Sequence, residues 1–279
     1  MKILYFDCFS GISGDMTIGS LIDAGGSLEH LKKELKKLNI EDEYELKIAQ
    51  VDKNGITCSK FDVILSDDIH GHHHHDHEHH HHHNHDHHHE HGHDHNHHHG
   101  HDHHHEHDHN HRSYKHIVKM IKSAQFTTKV ENDALRIFKK IGEAEAKIHG
   151  VALENVHFHE VGAVDSIIDI VGTAILLEQL RIDKVISSFI PVGSGSIHID
   201  HGVYPVPAPA TLEILKGIPI SASELKGELT TPTGAAIVAE LADEFSTVPT
   251  MKVEAVGYGA GTRNYPKHPN VLRVMIGEK

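Results

Sequence analysis

The segment His157-Phe158-His159-Glu160-Val161-Gly162-Ala163-Val164-Asp165-Ser166-Ile167-Ile168-Asp169 combines metal-capable side chains with a folding pattern. Residues two apart on an extended strand share a face, so His157 and His159 are placed to share a metal ion. Glu160 joins them if the chain turns, and Gly162 permits a turn. Beyond it, Val164, Ile167, Ile168, Val171 and Ile175 fall at helical spacing on one buried face. Asp165 and Asp169, four apart, lie together on another face. Two imidazoles and up to three carboxylates are therefore expected at one strand-to-helix junction. Neutral imidazole suits nickel, zinc, copper or iron, and carboxylates suit magnesium or manganese. The plainer role of Asp165 is to cap the helix.

Other polar groups recur where strands end. Ile3 to Asp7 reads as a buried strand running into a glycine-bearing turn, with a helix from Ser13 or Gly14 toward Ala24. Strand, glycine turn and helix form the usual ligand-binding corner of an α/β sheet. The turn has neither the dinucleotide fingerprint nor the Walker spacing. Asp7 and Asp15 are its polar groups, suited to a divalent ion; Asp15 also complements a helix dipole. In the small-residue stretch 193–202, Ser194, Gly195 and Ser196 are candidates to wrap a phosphate with backbone N–H groups. His198 and His201 add metal ligands or a proton carrier. Thr231 as cap with Pro232 at the first helical position is a plain helix start, and Thr231 and Thr233 offer hydroxyls to an anion there. Arg263, in a glycine loop, matches phosphate geometry. Together these loops predict a cleft that binds an anionic ligand with metal help.

The elements that must position these groups follow from pattern. Leu28 to Leu38 predicts a lysine-rich helix. Glu43–Val51 and Ile56–Leu65 predict a hairpin across Asp52-Lys53-Asn54-Gly55, since Asn-Gly is a strong hairpin signal. Ser113 caps a helix, and Thr128 to Glu131 reads as the capping box of a long helix closing at Gly150. Strands are expected at Val185–Pro191, Lys252–Tyr258 and Val271–Ile276, with a helix at Ala210–Lys216. The fold class is α/β with a mixed sheet and flanking helices, α+β being the alternative. Residues 1–71 and 112–279 are expected to form one domain, or two subdomains.

Residues 72–111 interrupt this pattern. They hold 27 of the 36 histidines and no hydrophobic residue. No core can form from such a composition, so a disordered insertion is expected. Its length, its internal position and its Asp, Glu, Asn and Gly interruptions distinguish it from a purification tag. Dense imidazoles beside carboxylates predict many weak sites, a reservoir for nickel or zinc. Of the 40 acidic residues, eight lie in this tract, which accounts for much of the formal charge of −14. The rest is mildly acidic, with no basic patch for nucleic acid, no apolar run of membrane length and no signal-peptide layout. Two cysteines make no disulfide framework, and a cytoplasmic protein is expected.

At YFDCFSGISGDM (5–16), HFHEVGAVDSIID (157–169), PVGSGSIHIDHGVYPVPAP (191–209), ELTTPTG (228–234) and GYGAGTR (257–263), the chain resembles the LarC family of nickel insertion proteins. The resemblance covers nearly all of the chain outside the tract. It implies a CTP-dependent cyclometallase of the lyase class, acting in nickel-pincer cofactor biosynthesis. Such an enzyme inserts nickel into a pyridinium bisthiocarboxylate mononucleotide, hydrolyses CTP to CMP and pyrophosphate with manganese or magnesium, and serves lactate racemase maturation. In that family a C-terminal domain follows, to which CTP binding is assigned. This chain ends at Lys279, where that domain would begin, so the chain is expected to be either a separately encoded N-terminal half, with the C-terminal half as its partner, or a truncated product. Apo-lactate racemase and further copies of the chain are the other expected partners.

Combined with the chemistry above, the resemblance suggests roles. Nickel is held by His157, His159 and Glu160, and a hard cation by Asp7, Asp15, Asp165 or Asp169. The substrate phosphate sits on Arg263 and the 193–196 loop, and His198 or His201 accepts the proton lost from the ring carbon. The competing expectations are a nickel storage or delivery protein without catalysis, and a metal-dependent nucleotide hydrolase or transferase. A P-loop and a GxSxG elbow are both missing, and HExxH occurs only by chance within the tract, which counts against the commoner hydrolases.

Overall fold

A computed structural model describes residues 1–66, 112–158, 163–199 and 202–279. The histidine tract, His159, Glu160 and His201 lie outside the described residues.

The frame is a seven-stranded mixed sheet. In chain order its strands are β1 (Lys2–Asp7), β2 (Tyr44–Lys53), β3 (Ile56–Leu65), β4 (Lys184–Ser187), β11 (Glu244–Phe245), β12 (Lys252–Ala260) and β13 (Val271–Glu278). Short strands β5 (Ile190–Pro191), β6 (Gly193–Ser194), β7 (Ser196–Ile199), β8 (Gly202–Pro205), β9 (Ile220–Ser221) and β10 (Gly227–Glu228) pair among themselves outside it. The order across the sheet is β11-β4-β1-β13-β12-β3-β2. β1, β4 and β11 run parallel, while β13 is antiparallel to both β1 and β12. β3 pairs with β12 in register only at Ser59 and Gly259. The β3 residues that follow, Lys60 to Val63, form one wall of the site.

The helices are α1 (Gly14–Asp23), α2 (Leu28–Leu35), α3 (Tyr114–Ser123), α4 (Thr128–His149), α5 (Val164–Gln179), α6 (Pro209–Ile214) and α7 (Pro232–Leu241). α1 lies directly on β12. A Cβ added at Gly259 would stand 1.9 Å from the Met16 carbonyl oxygen, so glycine there sets the helix-to-sheet distance. α5 runs through the centre of the core. Val164, Ile167, Ile168, Val171 and Ile175 are buried as the spacing predicts, and so are Ile170, Ala174 and Leu176 on its other sides. α5 packs against α1, α2, α4 and α7, which explains why so little of its surface is polar.

Most elements fall where the sequence puts them, with instructive differences. The Asn54-Gly55 turn has positive φ at both residues (54° and 84°), as a tight hairpin requires. The cap of α4 is Thr127, whose hydroxyl accepts the Val130 N–H at 3.3 Å, so the capping box expected at Thr128 is displaced by one residue. Thr127 wins because it also donates to Glu178 Oε1 at 2.5 Å. The strand expected over Val185–Pro191 breaks in two. Ser188 N–H turns back to the Phe6 carbonyl, and Ile190 leaves the main sheet to pair with Ile220. The stretch expected to wrap a phosphate at 193–202 is largely paired: Gly193 and Ser194 with β10, and β7 with β8.

Candidate active site

Three helices begin at one place. Ser13 and Gly14 open α1, Ala163 and Val164 open α5, and Thr231 and Pro232 open α7. Their amino ends, with Lys60 to Val63 of β3, enclose a cleft of about 400 Å³. Among its lining residues are Asp15, Asp62, Asp165, Asp169 and Glu228, against a single ammonium, Lys60. Aligned helix dipoles place partial positive charge at these amino ends, which favours carboxylates in first turns. Asp15 and Asp165 occupy such first turns.

Lys60 ties the wall together. Its Nζ is 2.8 Å from Asp15 Oδ2, 2.7 Å from Asp62 Oδ1 and 3.1 Å from the Phe61 carbonyl. Burial works against the ammonium, but Asp15 and Asp62 outweigh it and hold its pKa above the ordinary value. The Ser13 hydroxyl donates to the other oxygen of Asp15.

Asp169 is the least compensated group. It lies one turn into α5, against the α1 backbone, and a Cβ at Gly14 would fall 2.3 Å from its Oδ2. Its Oδ1 is buried and has no hydrogen-bond partner. Burial, then the charges of Asp15 and Asp165, push its pKa well above the carboxylate range, with Lys60 opposing. Asp165 has an outer side open to solvent, yet burial of its carboxyl raises its pKa. The Ser166 N–H, 2.7 Å away, works against that rise and Asp15 adds to it. On the far wall Thr231 caps α7 by accepting the Gly234 N–H at 3.2 Å, and Thr233 lines the cleft beside it.

Of the residues singled out in the sequence, Asp15, Asp165, Asp169, Thr231 and Thr233 meet in this cleft. Arg263 stands at its edge, next to the lining residue Thr262, with Nη1 3.3 Å from the Glu228 carbonyl. Asp7 does not join them; its carboxylate is held by Arg273, with Nε at 2.8 Å. Ser194 donates to the Leu225 carbonyl at 2.9 Å, and Gly195 and Ser196 are exposed. His157 is exposed and bridges Ser113, and His198 faces solvent in the β7–β8 hairpin. Among the described residues no three His, Cys, Asp or Glu side chains are grouped to hold a metal ion. Cys8 and Cys58 are buried and free, and burial pushes the Cys8 thiol up to about 12.

Lys60, Asp62 and Glu228 were not marked as site residues by the sequence. Lys60 and Asp62 carried one usable signal: opposite charges two apart on a strand share a face. Glu228 sits in the ELTTPTG motif but shows no chemistry until the chain folds.

The sequence profile of the nickel insertion protein family matches residues 4–279. Proteins called pyridinium-3,5-bisthiocarboxylic acid mononucleotide nickel insertion protein are 51% identical in Geobacillus kaustophilus, 48% in Clostridium kluyveri and 51% in Clostridium acetobutylicum. Each alignment covers 100% of this chain and 60%, 63% and 64% of the relative, respectively. The chain thus spans about three-fifths of the length of these relatives. No solved structure matches it. No helix among the described residues is long and apolar enough to cross a membrane. On the match from its fourth residue to its last, the chain belongs to the nickel insertion protein family.

Proposed function

We propose that this chain carries the nickel-inserting centre for pyridinium-3,5-bisthiocarboxylic acid mononucleotide, the substrate in the names of its relatives. The observation that supports the cleft as that centre is Asp169. A buried carboxylate oxygen without a partner is costly unless a proton or cation completes it. Asp15, Asp62, Asp165 and Asp169 line the cleft with Lys60, which pairs with the first two. A hard divalent cation such as manganese or magnesium fits this donor set. Magnesium-type sites commonly use one or two carboxylates and take the remaining ligands from water and phosphate. Asp169 with Asp15 or Asp165 would hold it, and such an ion supplies charge neutralisation for phosphate oxygens.

Nickel is substrate in this scheme. His157, with His159 and Glu160 in the segment that leads into α5, would receive it, and His198 or His201 would take the proton lost from the ring carbon; His157 and His198 themselves are not among the residues lining the cleft. Lys60 keeps Asp15 oriented, and Thr231, Thr233 and Arg263 meet the anionic ligand. The finer steps are CTP hydrolysis as the accompanying reaction, a C-terminal partner that supplies the CTP site, and delivery of the product to apo-lactate racemase.

Reconstitution tests this. The chain, with the C-terminal part of a relative supplied separately, is given nickel, manganese, CTP and the mononucleotide. The expected result is a nickel-containing mononucleotide detected by mass and absorbance, formed in proportion to CMP. Nickel transfer at full yield without CTP would remove CTP from the scheme. No transfer at all would overturn the insertion proposal.

A further inference from the structure

Residues 261–270 join β12 to β13, and this loop brings Thr262 to the acidic cleft and Arg263 to its edge. Thr262, Arg263 and Asn264 are all exposed, so their own side chains do not anchor them in the core. Arg263 is nevertheless held at both ends. Its Nη1 lies 3.3 Å from the Glu228 carbonyl. A Cβ added at Gly227, whose φ is 96°, would stand 2.1 Å from that same nitrogen, so a side chain there would displace the guanidinium. The Arg263 carbonyl accepts from Asn270 Nδ2 at 3.0 Å and from Lys53 Nζ at 3.2 Å. A guanidinium has five N–H donors, so most remain for a ligand.

Lys53 is the unusual member of this set. It ends β2, at the tip of the hairpin whose second strand supplies Lys60 to Val63 to the cleft. Lysine is rarely buried, yet Lys53 is only 8% exposed. Its ammonium reaches the Thr262 carbonyl at 3.4 Å, the Arg263 carbonyl at 3.2 Å and Asn264 Oδ1 at 2.5 Å, so all three acceptors belong to residues 262–264. The next residue, Asn54, donates to the Pro266 carbonyl at 3.2 Å, so the hairpin tip grips the loop at two places. Burial lowers the Lys53 pKa, and the fold therefore holds this ammonium at a cost. An apolar residue could close the hairpin tip without that cost, whereas gathering two carbonyls and an amide oxygen needs a cation with several donors.

We infer that Lys53 is a positioning residue: it draws residues 262–264 together and so presents Arg263, already oriented, to the anionic ligand at the cleft edge. Fixing the loop in advance removes the cost of ordering it when the ligand binds. The identity of that ligand rests on the insertion proposal.

A double-mutant cycle tests this. Binding of pyridinium-3,5-bisthiocarboxylic acid mononucleotide is followed by calorimetry, without nickel, in the chain, in Lys53→Met, in Arg263→Ala and in the double variant. Asn264→Ala removes part of the same contact from an exposed position and stands in if Lys53→Met does not fold. Thermal melts check folding. Arg263→Ala should weaken binding about tenfold or more, the scale of a lost hydrogen bond from a charged group. Lys53→Met should weaken it about threefold or more, and the double variant should stay within about twofold of Arg263→Ala, because the two residues act as one unit. Asn264→Ala should give a smaller loss in the same direction. Hydrogen–deuterium exchange over residues 261–265 should be faster in Lys53→Met. A purely structural role predicts losses that multiply. That result, unchanged affinity in Lys53→Met (or in Asn264→Ala where it stands in), unchanged exchange, or no binding by the chain would overturn the inference. Nickel insertion is assayed on the same preparations. Overlapping losses without insertion reject the insertion proposal alone, and active insertion with multiplying losses rejects the positioning role alone.

Discussion

Asp169 carries the largest unmet demand in the acidic cleft, and its substitution gives opposite effects on stability and function. Its native pKa is raised above its unfolded value, so the folded state binds the proton more tightly. Its contribution to stability is therefore present below the unfolded pKa, near 4, and is lost as pH rises through the native pKa. Asp169→Asn removes that loss. Its melting temperature at neutral pH should exceed wild type by about 2–4 °C, the shift for roughly 1 kcal/mol in a chain of this size, and the gap should close toward pH 4. Equal melting temperatures at every pH would show that the carboxylate is already neutralised. Lys60→Met acts the other way. Its side chain is 14% exposed and answers Asp15 and Asp62, so its loss leaves carboxylates facing one another. Urea unfolding should show a loss of about 1–3 kcal/mol, the cost of leaving a buried charged partner unpaired.

Among the elements, the clearest dependence is α1 on β12. Gly259→Ala sets a methyl against the Met16 carbonyl, and either helix or strand must move. The expected cost is about 1–3 kcal/mol in urea unfolding, together with weaker metal binding, because α1 carries Gly14 and Asp15 into the cleft. The ends of the histidine-rich insertion predict the reverse. Ser66 donates to the Asp42 carbonyl at 2.6 Å, and Arg112 Nη2 binds both Glu43 oxygens at 2.5 and 2.6 Å. Because the two ends are anchored on adjacent residues, replacing 67–111 by a short glycine-serine link should leave the melting temperature within about 2 °C of wild type.

Legibility followed the range of the interactions. The buried stripe of α5, the Asn54-Gly55 turn and the Thr231 cap are set by neighbours within a few residues, and the sequence showed them. The Thr127 cap was missed because its second partner, Glu178, lies far along the chain. Asp165 and Asp169 could be paired by their spacing, but not joined to Asp15, Thr231 and Thr233, since the cleft needs three helix starts from distant segments. Asp7 looked equivalent to Asp15 until the sheet register set Arg273 opposite it.

For the whole molecule, the strand that lines the acidic cleft is the one the histidine-rich segment follows in the sequence. Asp62 and Val63 line the cleft, and β3 ends at Leu65, just before the insertion begins. Removing the tract should therefore lower nickel bound at equilibrium dialysis and slow insertion when nickel is scarce, but not when nickel is abundant. Nickel held by imidazoles should be released as pH falls toward about 5. A tract-deleted protein that fails even at saturating nickel would mean the segment takes part in the chemistry.

The most direct measurement is the nickel insertion rate of Asp169→Asn beside wild type, at saturating nickel and manganese, with both proteins shown to be folded. If the cleft is the inserting centre, the rate falls by about a hundredfold or more, the scale of losing a charged group that acts at the reacting complex, while the variant melts no lower than wild type. An unchanged rate would contradict the account and place the chemistry outside this cleft.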